Sequence, residues 1–294
     1  MLRILTLIAS GFFFISCEKA ITFRPDQSTE AVVIEGIIEN NQAPVVILSR
    51  SRSFFSAITP AQLAASFIRN AAVTISNGTL THQLKERHLE IAPGYDFYYY
   101  SNDSLNAATA FKGEFGKTYS LQVNVDGKVF TAQTTIPFLT KMIDSIWWKK
   151  APDNPDSNKV ILMARTTDPP GYGNYIRYFT STNDGPFYPG ITSVYDDQIV
   201  DGKTYSVQIE KGVNRNESID FENYSFFQRG DTVKVKLTNI DKATFDFWRT
   251  MEYSYSSIGN PFSSPTRVLG NTTGGSLGYF GGYAVQYVQM IIPK

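Results

Sequence analysis

The stretch "YSLQVNVDGKVFTAQT", residues 119–134, constrains this chain more tightly than any other. Tyr119, Leu121, Val123 and Val125 alternate with Ser120, Gln122 and Asn124. That period of two places apolar side chains on one face of a strand and polar ones on the other. Asp126-Gly127 supplies two residues that tolerate positive φ, as a type I′ hairpin requires, and "KVFTAQT" returns antiparallel. A lone hairpin is marginal in water, so its apolar face needs further strands to cover it. Runs of the same grammar lie upstream ("AVVIEGII", "PVVILS", "AAVTIS", "TLTHQL", "YDFYYY") and downstream ("MIDSIWW", "NKVILMA", "NYIRYFTS", "KTYSVQI", "DTVKVKL"). In the last of these Val233, Val235 and Leu237 are expected inward, with Lys234 and Lys236 toward water.

At 294 residues the chain is long for one domain and comfortable for two. Pro137 marks the boundary, since proline cannot donate to a central ladder. "GKTYSLQV" (Gly116–Val123) recurs as "GKTYSVQI" (Gly202–Ile209). A tyrosine opening such a strand is the sequence sign of the tyrosine corner of immunoglobulin-like sandwiches. The expected fold is therefore mainly β: two immunoglobulin-like β-sandwich domains in tandem, residues 31–138 and 139–294. The second carries one packed helix over 241–257, with Asp241 as N-cap and Ile240 and Phe245 spaced for a hydrophobic staple. Phe247, Trp248, Met251 and Tyr255 fall on one face of that helix. A shorter helix is expected to begin at Thr59-Pro60.

Residues 1–17 read as a lipoprotein signal. Arg3 precedes the apolar run Ile4–Ile15, which is shorter than the roughly 20 residues a spanning helix needs. Cys17 follows the run behind Ser16, as in a lipobox, where the thiol takes the acyl chains; Phe14 stands where Leu is usual. Residues 18–30 are polar and unpatterned, a tether. Cys17 is the only cysteine, so no internal disulfide is open to the exported part.

Charge and motif exclude much chemistry. Formal net charge is zero with no block of one sign, so nucleic acid is not an expected partner. Gly274-Gly275-Ser276-Leu277-Gly278 spells the hydrolase elbow, but the two histidines, His82 and His88, lie far upstream, and the residues after Ser276 are strand-like. Those histidines and one cysteine leave no zinc set. His82 is expected to pack half-buried beside Leu80 and Leu84, and His88 to be solvated. Asp153 and Asp156, and Asp196, Asp197 and Asp201, match no cation loop and are expected as solvated turn acids. No phosphate-binding glycine motif follows a strand. No catalytic residue, cofactor or metal is expected.

"NPFSSPTRVLGNTTGGSLGYFGGYAV" (Asn260–Val285) is the remaining peculiarity, with Phe262, Tyr279 and Phe280 among its glycines and prolines. Two roles are open for these aromatics: plugs closing one end of the second sandwich, or an exposed patch meeting a partner. As a patch, Phe262, Tyr279 and Phe280 are the candidate partner-binding surface.

"GDTVKVKL", a helix with "FDFWRTM", then "NPFSSP", "GN" and "GSLGYFGGY" in this order resemble the C-terminal half of a Bacteroidota lipoprotein family, domain of unknown function 4249. The first half fits too, with Cys17-Glu18-Lys19, "VVIEGII", "VVILSRS" and "AAVTISNG". The resemblance implies an outer-membrane lipoprotein of β-sandwich domains, facing the periplasm or the cell surface. It implies no assigned activity. Members often accompany TonB-dependent outer-membrane transporters, which implies an accessory role. The expectation is a non-enzymatic, lipid-anchored binding or accessory protein. The alternative is a carbohydrate-binding or glycan-utilisation accessory, for which an exposed coplanar aromatic pair, with Trp147 or Trp148 facing outward, is the sign.

Overall fold

The chain's structure, a computed structural model, describes residues 30–51, 59–258 and 266–294. Cys17, the leader, nearly all of the tether and Phe262 lie outside them. Alternation becomes sheet on both sides of Pro137. In the first half β1 (Val32–Glu39), β2 (Val45–Arg50), β3 (Ala72–Ser76), β4 (Thr81–Gln83), β5 (Lys85–Ala92), β6 (Tyr95–Ser101), β7 (Thr118–Val125) and β8 (Lys128–Thr135) form in order. β9 (Met142–Lys150), β10 (Lys159–Thr167), β11 (Tyr175–Thr182), β12 (Tyr188–Tyr195), β13 (Thr204–Ile209), β14 (Phe227–Gln228), β15 (Thr232–Ile240) and β16 (Leu277–Ile291) follow. The β7–β8 hairpin is as the sequence requires: alternate residues of β7 are buried, and Asp126 and Gly127 turn at φ 52° and 76°.

One eight-stranded sheet, in the order β12-β11-β15-β16-β1-β2-β6-β5, runs through both halves. A four-stranded sheet, β4-β3-β7-β8, covers one end of it, and a second, of β9, β10, β13 and β14, covers the other end. The mainly β, two-sandwich architecture is thus present, in a form the sequence does not announce: both sandwiches share the large sheet. The first core joins Ile34, Ile38 and Leu48 to Val73, Leu121 and Phe130. The second joins Val233, Val235 and Leu237 to Val160, Leu162 and Phe227. The chain passes between cores from Ile136 to Ile143, and β16 then serves both, with Phe280 and Ala284 in the first and Val288 and Met290 against the second.

β16 holds that place by two pairings. It runs parallel to β1, from Val33↔Leu277 to Glu39↔Tyr283, and antiparallel to β15 from Thr232↔Ile291 to Ile240↔Tyr283. Its two faces alternate between opposite environments. Even-numbered residues meet the small sheets, while Tyr279, Tyr283 and Val285 meet α2 (Lys242–Ser256) on the other side. Asp241 caps α2, its Oδ1 accepting from Thr244 N at 2.8 Å. Its Oδ2 accepts from Thr134 Oγ1 at 2.7 Å and Thr135 N at 3.0 Å, so the cap also ties the helix to the end of β8. Ile240 and Phe245 share a third apolar cluster, with Phe247, Tyr279, Tyr283 and Val285 between α2 and the large sheet, as a staple should. α1 (Pro60–Ser66) begins where expected, with Thr59 and Gln62 forming a capping box. Tyr255 departs from the expected helix face: it is exposed, with its hydroxyl donating to Arg215 O at 3.1 Å.

The repeated octapeptide is strand both times, yet its tyrosines differ. Tyr119 is fully buried and its hydroxyl accepts from Glu114 N at 2.8 Å, a backbone tie a few residues upstream of the kind a tyrosine corner makes. Tyr205 instead lies beside Lys141, whose ammonium is 5.3 Å from the ring centre. Lys236 does not face open water either, since it pairs with Glu39 across the shared sheet.

Candidate functional site

The sequence-chosen aromatics are not a surface. Tyr279 is 3% exposed and Phe280 0%. Because they are neighbours on a strand, they point into different cores. Phe280 fills the first core, and Tyr279 stacks on Phe247 of α2 with centroids 4.3 Å apart. Tyr279 also reaches Tyr283 Oη at 3.2 Å, and Tyr283 accepts from Trp248 Nε1 at 3.0 Å. Phe280 is closed off entirely and Tyr279 shows only 3% of its surface, at the floor of a cleft beside α2, so the patch expectation for these two is corrected: they pack β16 and seat the helix.

Other expectations resolve by placement. Ser276 donates to Thr273 O at 3.0 Å, and β16 rather than a helix follows it, so no nucleophile elbow forms. His82 is fully buried, deeper than the half-burial expected. Its Nε2 accepts from Asp103 N at 3.0 Å, which leaves the proton on Nδ1, 2.8 Å from Thr109 Oγ1. His88 is exposed as expected. Trp148 packs against the second core beneath the Arg229 guanidinium, 4.7 Å from its ring, while Trp147 is half-buried. The two tryptophans make no coplanar pair. Asp197 is not a solvated turn acid: it is 2% exposed.

Of the clefts among the described residues, a strongly apolar one of about 470 Å³ lies in the second sandwich. It exists because two edge strands are left apart. β12 ends the large sheet and β13 ends the small one. The turn between them, residues 196–203, crosses from one sheet to the other without closing the gap. β13 points Tyr205, Val207 and Ile209 into the space, opposite Val235 and Leu237 of β15 and Ile176 and Tyr178 of β11. Val207 stays 44% exposed although its ladder partner Ala164 is buried, the mark of an apolar side chain facing open space. Phe245 and Arg249 of α2 contribute one wall, and Asp196, Ile199 and Val200 contribute the turn.

Two polar groups of this lining, the buried Thr166 and the exposed Tyr195, are already engaged. Thr166 Oγ1 donates to Met142 O at 2.7 Å, and Tyr195 Oη to Thr192 O at 3.1 Å. Burial, with the Glu210 carboxylate acting in the same direction, pushes the Tyr195 phenol up to about 12, and burial raises Tyr178 further. Both phenols therefore keep their protons at neutral pH and act as aromatic surface, not as bases. Arg249 is exposed along much of its side chain and makes a long contact of 3.8 Å with Asp246. It stands with Asp196 and Gln208 as the polar share of the lining. A largely apolar cleft of this size with a few polar groups is the usual form of a small-molecule site.

A second group escaped the sequence reading because its members are far apart in the chain. Asp168 closes β10, Asp197 and Asp201 lie in the 196–203 turn, and one carboxylate oxygen from each lies within 4.8 Å of the other two. Burial works against the Asp197 charge, but the Asn174 and Gly173 amides outweigh it and hold the carboxyl below its ordinary value. A third buried polar group lies under α2. Arg177 Nε donates to Ser193 Oγ at 3.0 Å, Ser193 N donates to Glu252 Oε2 at 3.0 Å, and the Arg177 guanidinium lies 3.4 Å from the Trp248 ring centre. It joins the helix to β11 and β12.

Among the described residues no helix is long and apolar enough to cross a membrane. A comparison with curated proteins finds no match. The family model described as domain of unknown function DUF4249 matches residues 18–288, nearly the whole length, and the chain belongs to that family.

Proposed function

We propose that this protein is a non-enzymatic, lipid-anchored envelope protein that binds a small apolar or aromatic molecule and serves an outer-membrane transporter as an accessory subunit. The observation that carries the binding part is the open cavity in the second sandwich, apolar in its depth and polar at Arg249, Asp196 and Gln208. Its phenols hold their protons, which suits stacking and burial rather than proton transfer. The anchoring part rests on the apolar run ending at Cys17, which has the pattern of a lipoprotein signal. Two or more acyl chains give the stable attachment a single chain cannot. The transporter part rests on the resemblance to lipoproteins that accompany TonB-dependent transporters, and the outer membrane is the proposed location.

Two measurements test the parts separately. Full-length protein titrated with the environment-sensitive dye N-phenyl-1-naphthylamine should bind about one dye per chain. No fluorescence change with folded protein refutes the cavity reading. A mild-detergent pull-down of C-terminally tagged protein from native outer membranes should recover one β-barrel transporter in near-equal amount, with Cys17→Ala as the unanchored control. A pull-down holding no barrel protein refutes the accessory reading.

A further inference from the structure

We propose that Asp168, Asp197 and Asp201 form a calcium site that fastens the 196–203 turn to the end of β10 beside the cavity mouth. The proposal goes beyond the ligand reading and does not depend on it.

Convergence is the first observation: three carboxylates from two separate segments bring an oxygen each within 4.8 Å of the others. Two oxygens bound to one calcium ion at about 2.4 Å lie at most about 4.8 Å apart, so the spacing suits a shared ion. Backbone donors aim two of the acids. Gly171 N donates to Asp201 Oδ1 at 2.6 Å, Gly173 N to Asp197 Oδ1 at 3.2 Å, and Asn174 N to Asp197 Oδ2 at 2.9 Å. Asn174 Nδ2 adds a further bond to Asp197 Oδ2 at 3.1 Å. Asp201 Oδ1 and Asp197 Oδ1 take one donor each and so retain a second lone pair for an ion, whereas the two Asn174 donors occupy Asp197 Oδ2.

Asp168 supplies the second, independent observation. It is 1% exposed, and its Oδ2 receives no hydrogen bond from the described residues. Lys141 Nζ lies 2.8 Å from Oδ1 as an ion pair, which leaves Oδ2 buried without a donor. Native structures rarely leave such an oxygen orphaned, and an ion is one of the standard explanations. The charges agree. Three carboxylates against the one ammonium of Lys141 leave two negative charges, the complement of a divalent cation. Lys203, the nearest other cation in the turn, spends its ammonium on Ile199 O at 3.0 Å. An all-oxygen set with room for carbonyls or water suits calcium, which takes six to eight oxygens in irregular geometry, better than zinc.

The test uses full-length protein in detergent, stripped with EDTA and titrated calorimetrically with calcium chloride or magnesium chloride. Thermal unfolding is recorded alongside. The expected result is one calcium per chain, bound at least tenfold more tightly than magnesium, with a melting temperature that rises with calcium. Asp201→Asn, at a half-buried position, should weaken calcium at least tenfold while leaving the metal-free melting temperature unchanged. Asp168→Asn removes the buried charge itself and serves as a second variant only if it folds. Folded wild type that gives no binding heat and melts identically in EDTA and in excess calcium overturns the site. So does calcium binding untouched by Asp201→Asn, which puts the ion elsewhere, and so does equal affinity for magnesium, which overturns the choice of ion.

Discussion

Replacing Phe280 with alanine tests the architecture at the point where both sandwiches depend on one strand. Phe280 is fully buried, and an ideal Cβ added to Gly36 on the paired strand would meet Phe280 Cδ2 at 2.7 Å and Leu121 Cδ2 at 3.5 Å. The ring therefore fills the space above Gly36 between the two sheets. Burying an aromatic removes about 150–250 Å² from water. At about 25 cal/mol per Å² that is worth roughly 4–6 kcal/mol, of which alanine retains a part. Buried phenylalanine truncations cost about 3–5 kcal/mol in practice, a large share of the roughly 5–15 kcal/mol that holds a protein folded. Urea unfolding followed by far-UV circular dichroism is the assay. With m near about 3 kcal/mol/M, the midpoint should fall by roughly 1 M or more. Because β16 carries both cores, the whole transition should move, with no stable half left behind. Tyr279→Phe is the control. It removes only a hydroxyl contact and should cost about 1 kcal/mol. A Phe280→Ala protein that loses under about 1 kcal/mol, or that unfolds in two steps with one unshifted, would refute the shared-strand reasoning.

Three further outcomes follow from named contacts. Val207→Trp should block the cavity mouth and cut dye uptake at least tenfold, with thermal unfolding little changed because Val207 is already 44% exposed; full uptake would move the binding site elsewhere. His82 is held neutral: burial lowers its pKa, and the Asp103 charge offsets part of that. Its stabilising contribution is whole above the ordinary imidazole value of about 6.5 and is lost as the pH falls through the lower folded value. Melting temperature measured between about pH 5 and pH 8 should fall on acidification less steeply in His82→Gln than in wild type, and parallel curves would count against the reasoning. At Gly278 φ is +98° and an added Cβ would lie 2.0 Å from Ile34 O, so Gly278→Ala should break the start of the β1–β16 ladder. Hydrogen exchange would show it as lost protection at Ile34 and Gly36, whereas unchanged protection would contradict the parallel pairing.

Local rules carried the reading where local contacts decide the structure. Strict alternation and an Asp-Gly turn specify β7 and β8 without help from the rest of the chain. The Asp241 cap and the Ile240–Phe245 staple specify α2 in the same way. β5 was hidden because "KERHLE" is charged along its length, as suits the outermost strand of the large sheet, with little to bury. β12 was hidden by Pro189 and Gly190, which read as turn residues yet sit at the start of the opposite edge strand. The Tyr119 and Tyr205 octapeptides show the limit from another side, since near-identical letters give one buried tyrosine tied to its own loop and another beside a buried lysine. The cavity and the carboxylate cluster were illegible for one reason: each is assembled across edges that only the tertiary fold brings together. Asp168 stands before two prolines with no acidic neighbour, and nothing in its own segment points to Asp197.

The aromatic stretch near the C-terminus carries a physical signal that fits both a plug and a patch. Glycines between aromatics do signal close approach, but here the approaching surfaces belong to the same chain. A Cβ on Gly282 would lie 2.6 Å from Thr135 O, where the link between the sandwiches crosses β16, and Gly282 N donates to Thr134 Oγ1 at 2.7 Å. On the opposite face a Cβ on Gly281 would meet the Tyr279 ring at 2.9 Å and Thr244 Oγ1 of the helix at 3.0 Å. The adjacent glycines thus admit the link on one side of β16 and α2 on the other. Sequence alone could not choose between plug and patch, because an exposed aromatic patch and a strand squeezed between two layers require the same residues. Burial separates them, and it assigns Tyr279 and Phe280 to the internal joint between the sandwiches. Apolar side chains remain open to solvent instead at the edges of β12 and β13, where Tyr195 and Val207 line the cavity.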